Sequence, residues 1–168
     1  MRKTNLMLAV AGSLVVAAGA ANADTKTTTF GVAATVNANC LVTAESLDFL
    51  GYDGTAEKTA SSDISVRCSS GAPYTVALSA GGGTFAQRLL SGPGTDKLQY
   101  NLYTSDVANA PIWGDGTSNT DTVGGTGAGM ALGSAKTHTV YGVLPDSDFN
   151  RAAPAGSYND TITVTVTY

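Results

Sequence analysis

The chain is poor in the side chains that most chemistry requires. It holds one histidine, His138, and 9 lysines and arginines among 168 residues. A Ser-His-Asp machine would need His138 as its base, yet no G-x-S-x-G elbow occurs and the serines and aspartates are scattered, so His138 reads as structural or solvent-facing. No P-loop or dinucleotide fingerprint opens a helix after a strand. The acidic residues form no pair that singles itself out for acid–base work. Asp115, Thr117, Asn119 and Asp121 start like a calcium loop, but Thr120 stands where the sharp turn needs glycine and Thr126 where a bidentate glutamate belongs. The expectation is a non-enzymatic protein without a cofactor or a resident metal. Phosphate recognition needs clustered basic residues that are missing here, which excludes nucleic acid as a partner.

Long apolar runs are also missing, with one exception. Met1-Arg2-Lys3, an apolar stretch from Leu6 to Ala18 and Ala21-Asn22-Ala23 read as a signal peptide over residues 1–23, cleaved before Asp24. The stretch falls short of the roughly 20 residues that span a bilayer. Without Arg2 and Lys3, 7 basic residues face 13 acidic ones, and the mature chain carries a net charge of about −6. In an exported chain the two cysteines, Cys40 and Cys68, are expected to pair. In the chain-entropy account, closing that loop contributes about 3–4 kcal/mol. The pairing also removes the free thiol that a Cys-His enzyme would need.

What the sequence has in quantity is small polar and β-branched residues set in period-two runs. Ile64, Val66 and Cys68 alternate with Ser65 and Arg67; Tyr74, Val76 and Leu78 with Thr75 and Ala77; and Leu98, Tyr100 and Leu102 repeat the pattern. His138 to Leu144 forms a further run. Gly- and Pro-rich punctuation such as Gly81-Gly82-Gly83, Gly92-Pro93-Gly94 and Pro154-Ala155-Gly156 separates the runs and leaves no long amphipathic helix. One all-β domain, a sandwich or barrel, is the reading. Residues 108–136 are the poorest in core formers, with Trp113, Met130 and Leu132 as the expected anchors.

Both ends of the mature chain carry the same alternation. Phe30, Val32, Ala34 and Val36 lie two apart near the start, and Ile162, Val164, Val166 and Tyr168 lie two apart in the last eight residues. No charge or proline blunts the C-terminal run, as a strand edge open to other chains normally demands. Alternation does not separate two readings of Phe30 to Val36: a first strand of a complete domain, or a strand given to another molecule.

A set of short motifs carries a family resemblance over essentially the whole mature chain. Cys40-Leu41-Val42, Leu47-Asp48-Phe49, Gly51-Tyr52, Ile64 to Cys68, Pro73 to Val76, Leu98 to Tyr103, Trp113 to Gly116, Val140-Tyr141-Gly142 and Ala155 to Thr161 follow in an order that resembles the spore-coat-U-like domain of archaic chaperone-usher pili. The resemblance implies an incomplete immunoglobulin-like β-sandwich completed by donor-strand exchange. It implies that residues 24–36 form the donor extension, with Phe30, Val32, Ala34 and Val36 entering successive pockets, and that residues 37–168 form the pilin domain. Ala34 departs from a uniformly bulky donor row. Ile162, Val164, Val166 and Tyr168 become the exposed groove edge or the chaperone contact. The implied partners are identical or related pilin subunits, a periplasmic chaperone and an outer-membrane usher. The implied destination is the cell surface, in a pilus supporting adhesion and biofilm formation. The competing reading is a self-complete secreted sandwich that binds carbohydrate or a surface ligand through Tyr and Trp in its loops.

Overall fold

The computed structural model describes residues 23–168, so the expected signal peptide, apart from Ala23, lies outside the described residues. Eight strands form: β1 Cys40–Ala44, β2 Lys58–Cys68, β3 Pro73–Leu78, β4 Arg88–Ser91, β5 Lys97–Tyr103, β6 Val123–Thr126, β7 Lys136–Leu144 and β8 Val164–Thr167. They make a five-stranded sheet in the order β1-β2-β7-β5-β4 and a three-stranded sheet in the order β6-β3-β8. Every paired neighbour is antiparallel. Among the described residues helix is confined to one turn, α1 Asp148–Arg151, capped by the Ser147 side chain, and a 3-10 turn at Leu132–Ser134.

The alternation seen in the sequence sets the two faces of each sheet. Ile64, Val66 and Cys68 on β2, Tyr74, Val76 and Leu78 on β3, Leu98, Tyr100 and Leu102 on β5, and Val140 and Leu144 on β7 are all buried in one core between the sheets. Trp113 joins them at 0% exposure, and its indole N–H donates to Val76 O at 3.0 Å. That bond satisfies the one polar atom a buried tryptophan brings. Leu132, expected as a second anchor, is instead 83% exposed, because it lies in the 3-10 turn, which has no buried residue; Met130 is half-buried.

Cys40 and Cys68 face each other in the β1–β2 register and are disulfide-bonded, with their Cα atoms 4.1 Å apart. Cys68 is buried while the rest of β1 is mostly exposed. The bond therefore fastens an edge strand with little core of its own to the buried end of its neighbour β2.

Residues 23–35 fall outside the compact unit spanning Val36–Tyr168. Residues 23–39 form no strand, and all are exposed. Phe30, Val32 and Val36 are 87%, 84% and 90% exposed, and Ala34 is exposed as well. Phe30 to Val36 thus form no strand within this chain, and the first strand of the domain is β1, which starts at Cys40.

Candidate functional site: an open apolar groove

β8 alternates as its sequence requires, with Val164 and Val166 half-buried against the core and Thr165 and Thr167 exposed; Ile162 just before it also packs inward. Tyr168 is mostly exposed. The strand is shorter than the 161–168 run, because Thr163 turns to Ser79. Its N–H donates to Ser79 Oγ at 2.9 Å and its carbonyl accepts from Ser79 N at 3.0 Å. From there β8 pairs with β3 alone, in the register Leu78↔Val164 to Thr75↔Thr167. Among the described residues its other edge has no strand, and neither has the outer edge of β1. By contrast, β4 is tied at Ser91 to Asn159 by two backbone hydrogen bonds of 2.7 and 2.9 Å.

Between Ala44 at the end of β1 and Ile162 and Val164 the sandwich opens into a groove of about 1040 Å³. Its walls include the core side chains Ile64, Leu78, Leu98, Leu102, Val140 and Leu144. The irregular segment from Glu45 to Gly54 forms one lip. Leu47 and Phe49 point inward from it and rest over Gly142 of β7, where any Cβ would lie 2.9–3.0 Å from their side-chain carbons. Phe49 also meets the Tyr100 ring edge-on at 6.0 Å. The lip is pinned at both ends: Ser62 Oγ donates to Glu45 O at 2.6 Å, and Tyr52 Oη to Asp146 Oδ1 at 3.1 Å. Asp146 is held in turn by Arg151, whose guanidinium keeps that carboxyl below the usual carboxylate range.

The groove is lined by polar as well as apolar groups, and among the polar ones Tyr100 and Asp160 satisfy each other. Tyr100 Oη donates to Asp160 Oδ2 at 2.6 Å, and Asp160 Oδ1 accepts from Gly82 N and Thr161 N at 2.9 and 2.7 Å. Burial first, then the bonded carboxylate, pushes the Tyr100 phenol up, so it remains a donor. The arrangement offers apolar contact along its floor and unpaired backbone on its rims. Those are the two things an added strand takes.

His138 lies elsewhere, on β7, with Nε2 2.8 Å from Tyr74 Oη of the other sheet. Its ring packs edge-on against Tyr74, with no serine or carboxylate bonded to it among the described residues. Burial lowers its pKa below the ordinary 6.5. The unfolded chain therefore takes up a proton that the folded chain resists. Stability is complete above pH 6.5 and falls as pH drops through that value towards the lower folded pKa. Urea midpoints of wild type and His138→Gln between pH 8 and pH 5 should show the wild type losing ground to the variant on the acid side; parallel curves would remove this role.

Of the candidate calcium residues, Asp115 and Thr117 satisfy each other within a turn. Asp115 Oδ1 accepts from Thr117 N and Thr117 Oγ1 at 2.9 and 2.6 Å, and these bonds hold its carboxyl below the usual range. Thr120 Oγ1 closes the loop onto Thr117 O at 2.7 Å. Among the described residues no cluster of three or more His, Cys, Asp or Glu side chains is placed to hold a metal ion.

These features define a class: an all-β sandwich domain left open along one side, with an apolar slot between two free strand edges. The Spore Coat Protein U domain model matches residues 26–165, and the chain belongs to that family. Protein U of Myxococcus xanthus is 29% identical over 186 positions, covering 99% of this chain and 98% of that protein. Among solved structures, the fold matches a chain in the CsuC-CsuE chaperone-tip adhesion subunit pre-assembly complex from archaic chaperone-usher Csu pili of Acinetobacter baumannii. That likeness has a TM-score of 0.55 at 24% identity and covers 80% of this chain. The chain spans only 41% of that longer one.

Proposed function

We propose that this protein is a structural subunit of a chaperone-usher pilus, polymerising head-to-tail when the 24–36 extension of one copy enters the groove of the next. One observation carries the reading: the domain leaves an apolar slot between unpaired edges while Phe30, Val32 and Val36 of the same chain stand exposed at the spacing of a strand. Phe30, Val32, Ala34 and Val36 would face the groove floor, and their backbone would pair with the free edge of β8. Because donor and acceptor are different surfaces of one chain, the contact is heterologous and grows into a fibre. Before assembly the same slot calls for a periplasmic chaperone, with Val164, Val166 and Tyr168 at the contact, and an outer-membrane usher as the place of exchange. The structural relative was solved as a pre-assembly complex of a chaperone with a pilus subunit, which supports that order of events. The fibre would stand on the cell surface and serve attachment and biofilm formation.

A synthetic peptide covering residues 25–37, added to a mature chain lacking residues 24–36, tests the reading. At 100 times its Kd the peptide would add about 2.7 kcal/mol, a rise in Tm of about 10 °C for a domain of this size. A peptide with Phe30→Asp and Val32→Asp should give none. Equal shifts from both peptides, or no shift from either, would overturn donor entry.

A further inference from the structure

A second cleft lies on the side of the larger sheet that faces away from the core. Its floor is set by register: Tyr103 of β5 stands directly opposite Tyr141 of β7, and Ser61 of β2 stands opposite Tyr141 on the other side. Tyr141 neighbours the core residue Val140, so by strand alternation it points to the opposite face. The 105–112 loop returns to β5 through a Tyr103↔Ile112 bridge and walls the cleft, with Asn119 and Asp121 from the next turn on the rim. The cleft is open to solvent, with a volume of about 1370 Å³.

Three properties set this cleft apart from an ordinary sheet face. Tyr52, Tyr74, Tyr100 and Tyr158 bond their hydroxyls within the chain, whereas those of Tyr103, Tyr141 and the C-terminal Tyr168 take no partner among the described residues. Glu57, Asp106 and Asp121 line the cleft without a lysine or arginine beside them in its walls, and none forms an ion pair among the described residues. Two asparagines on the rim, Asn109 and Asn119, hold left-handed backbone at φ 62° and 60°. Such positions gather at binding loops more than elsewhere.

We infer that this cleft binds an oligosaccharide bearing free amino groups, its sugar faces lying on Tyr103 and Tyr141 and its ammonium groups meeting Glu57, Asp106 and Asp121. Tyrosine rings present flat apolar area with a polar tip, the surface a pyranose face complements. An ammonium over an aromatic face gains a cation–π attraction, and the unpaired carboxylates add charge complementarity that an acidic or neutral glycan would not share. The site lies on the outer face, so filling the groove between the sheets would not cover it. The inference therefore stands whether or not the subunit polymerises.

The test is calorimetric titration of the mature chain with a β-1,4-linked glucosamine tetramer, with the fully N-acetylated tetramer and maltotetraose as controls. The glucosamine tetramer should bind, weaken with added salt, and exceed both controls by about tenfold or more. Tyr103→Ala with Tyr141→Ala should cost at least about tenfold in affinity. Glu57→Gln, Asp106→Asn and Asp121→Asn together, all at exposed side chains that leave the core intact, should erase the preference over the N-acetylated form. Absence of binding, equal binding of all three sugars, or binding indifferent to the carboxylate variant would overturn the inference.

Discussion

Removal of Thr25–Val36 should abolish fibre growth while leaving the domain folded. The segment forms no strand, and its apolar side chains are exposed, so the core and both sheets lose nothing with it. The compact unit begins at Val36 and its first strand at Cys40, beyond nearly the whole deletion. The deleted chain keeps its groove and should still accept a donor. It should fail to give one. Expressed alone, it should accumulate as single subunits in place of the ladder of heat-sensitive oligomers expected of the full chain. Mixed with full-length chains it should end each fibre at the point of its addition, because it has no donor to enter the next groove. A gentler change isolates the side chains: Phe30→Asp with Val32→Asp should stop growth with Tm held, since substitutions at exposed positions usually stay within about 0.5 kcal/mol. Normal fibres from the deletion would defeat the proposed function outright.

The periodic strands are open to reading from the sequence because their burial is decided locally. On β2, β3, β5 and β7 a period of two places each second residue in the core, and those are the strands whose apolar rows the sequence displays. Short strands hide themselves. β4 and β6 span four residues each, and β6 reads Val-Gly-Gly-Thr, with no row to display. The resemblance points to an unfinished sandwich, but no local pattern names the groove: its walls come from β2, β3, β5, β7 and β8, and what makes it a groove is a strand that does not pair. Leu47 and Phe49 stand out in the sequence only as a motif. Their place over Gly142 depends on a glycine almost a hundred residues away that leaves room for them. Tyr103 and Tyr141 stay hidden for a similar reason, since only the β5–β7 register brings them side by side.

Arg88→Met should be among the most damaging single changes in the chain, and nothing in the sequence marks that residue as core. Its side chain is 0% exposed. Nε and Nη2 donate to Ser79 O at 3.2 and 2.9 Å, Nη2 also to Trp113 O at 2.7 Å, and Nη1 to Asn101 Oδ1 at 2.7 Å. The guanidinium also lies 5.5 Å from the Phe85 ring centroid. One cation thus joins the end of β3, the Trp113 segment, β4 and β5. Burial lowers its pKa, yet an arginine starts so high that it stays charged. Methionine would fill much of the space and leave Ser79 O and Trp113 O without the donor Arg88 supplies, while Asn101 Oδ1 keeps only Leu102 N. Buried acceptors stripped of partners cost about 1–3 kcal/mol each, and breaking a buried charged group's network about 3–5 kcal/mol in all. Arg88→Lys should recover little, because one ammonium cannot reproduce a planar fork aimed at three acceptors. The damage should reach the groove as well: Ser79, held by Arg88 through its carbonyl, is the residue whose N–H and Oγ bind Thr163 immediately before β8. Urea unfolding should place Arg88→Met at least about 3 kcal/mol below wild type. Where enough protein folds, capture of the 25–37 peptide should weaken. A loss under about 1 kcal/mol would mean that water replaces the guanidinium at its acceptors, and that Ser79 holds the β8 edge without it.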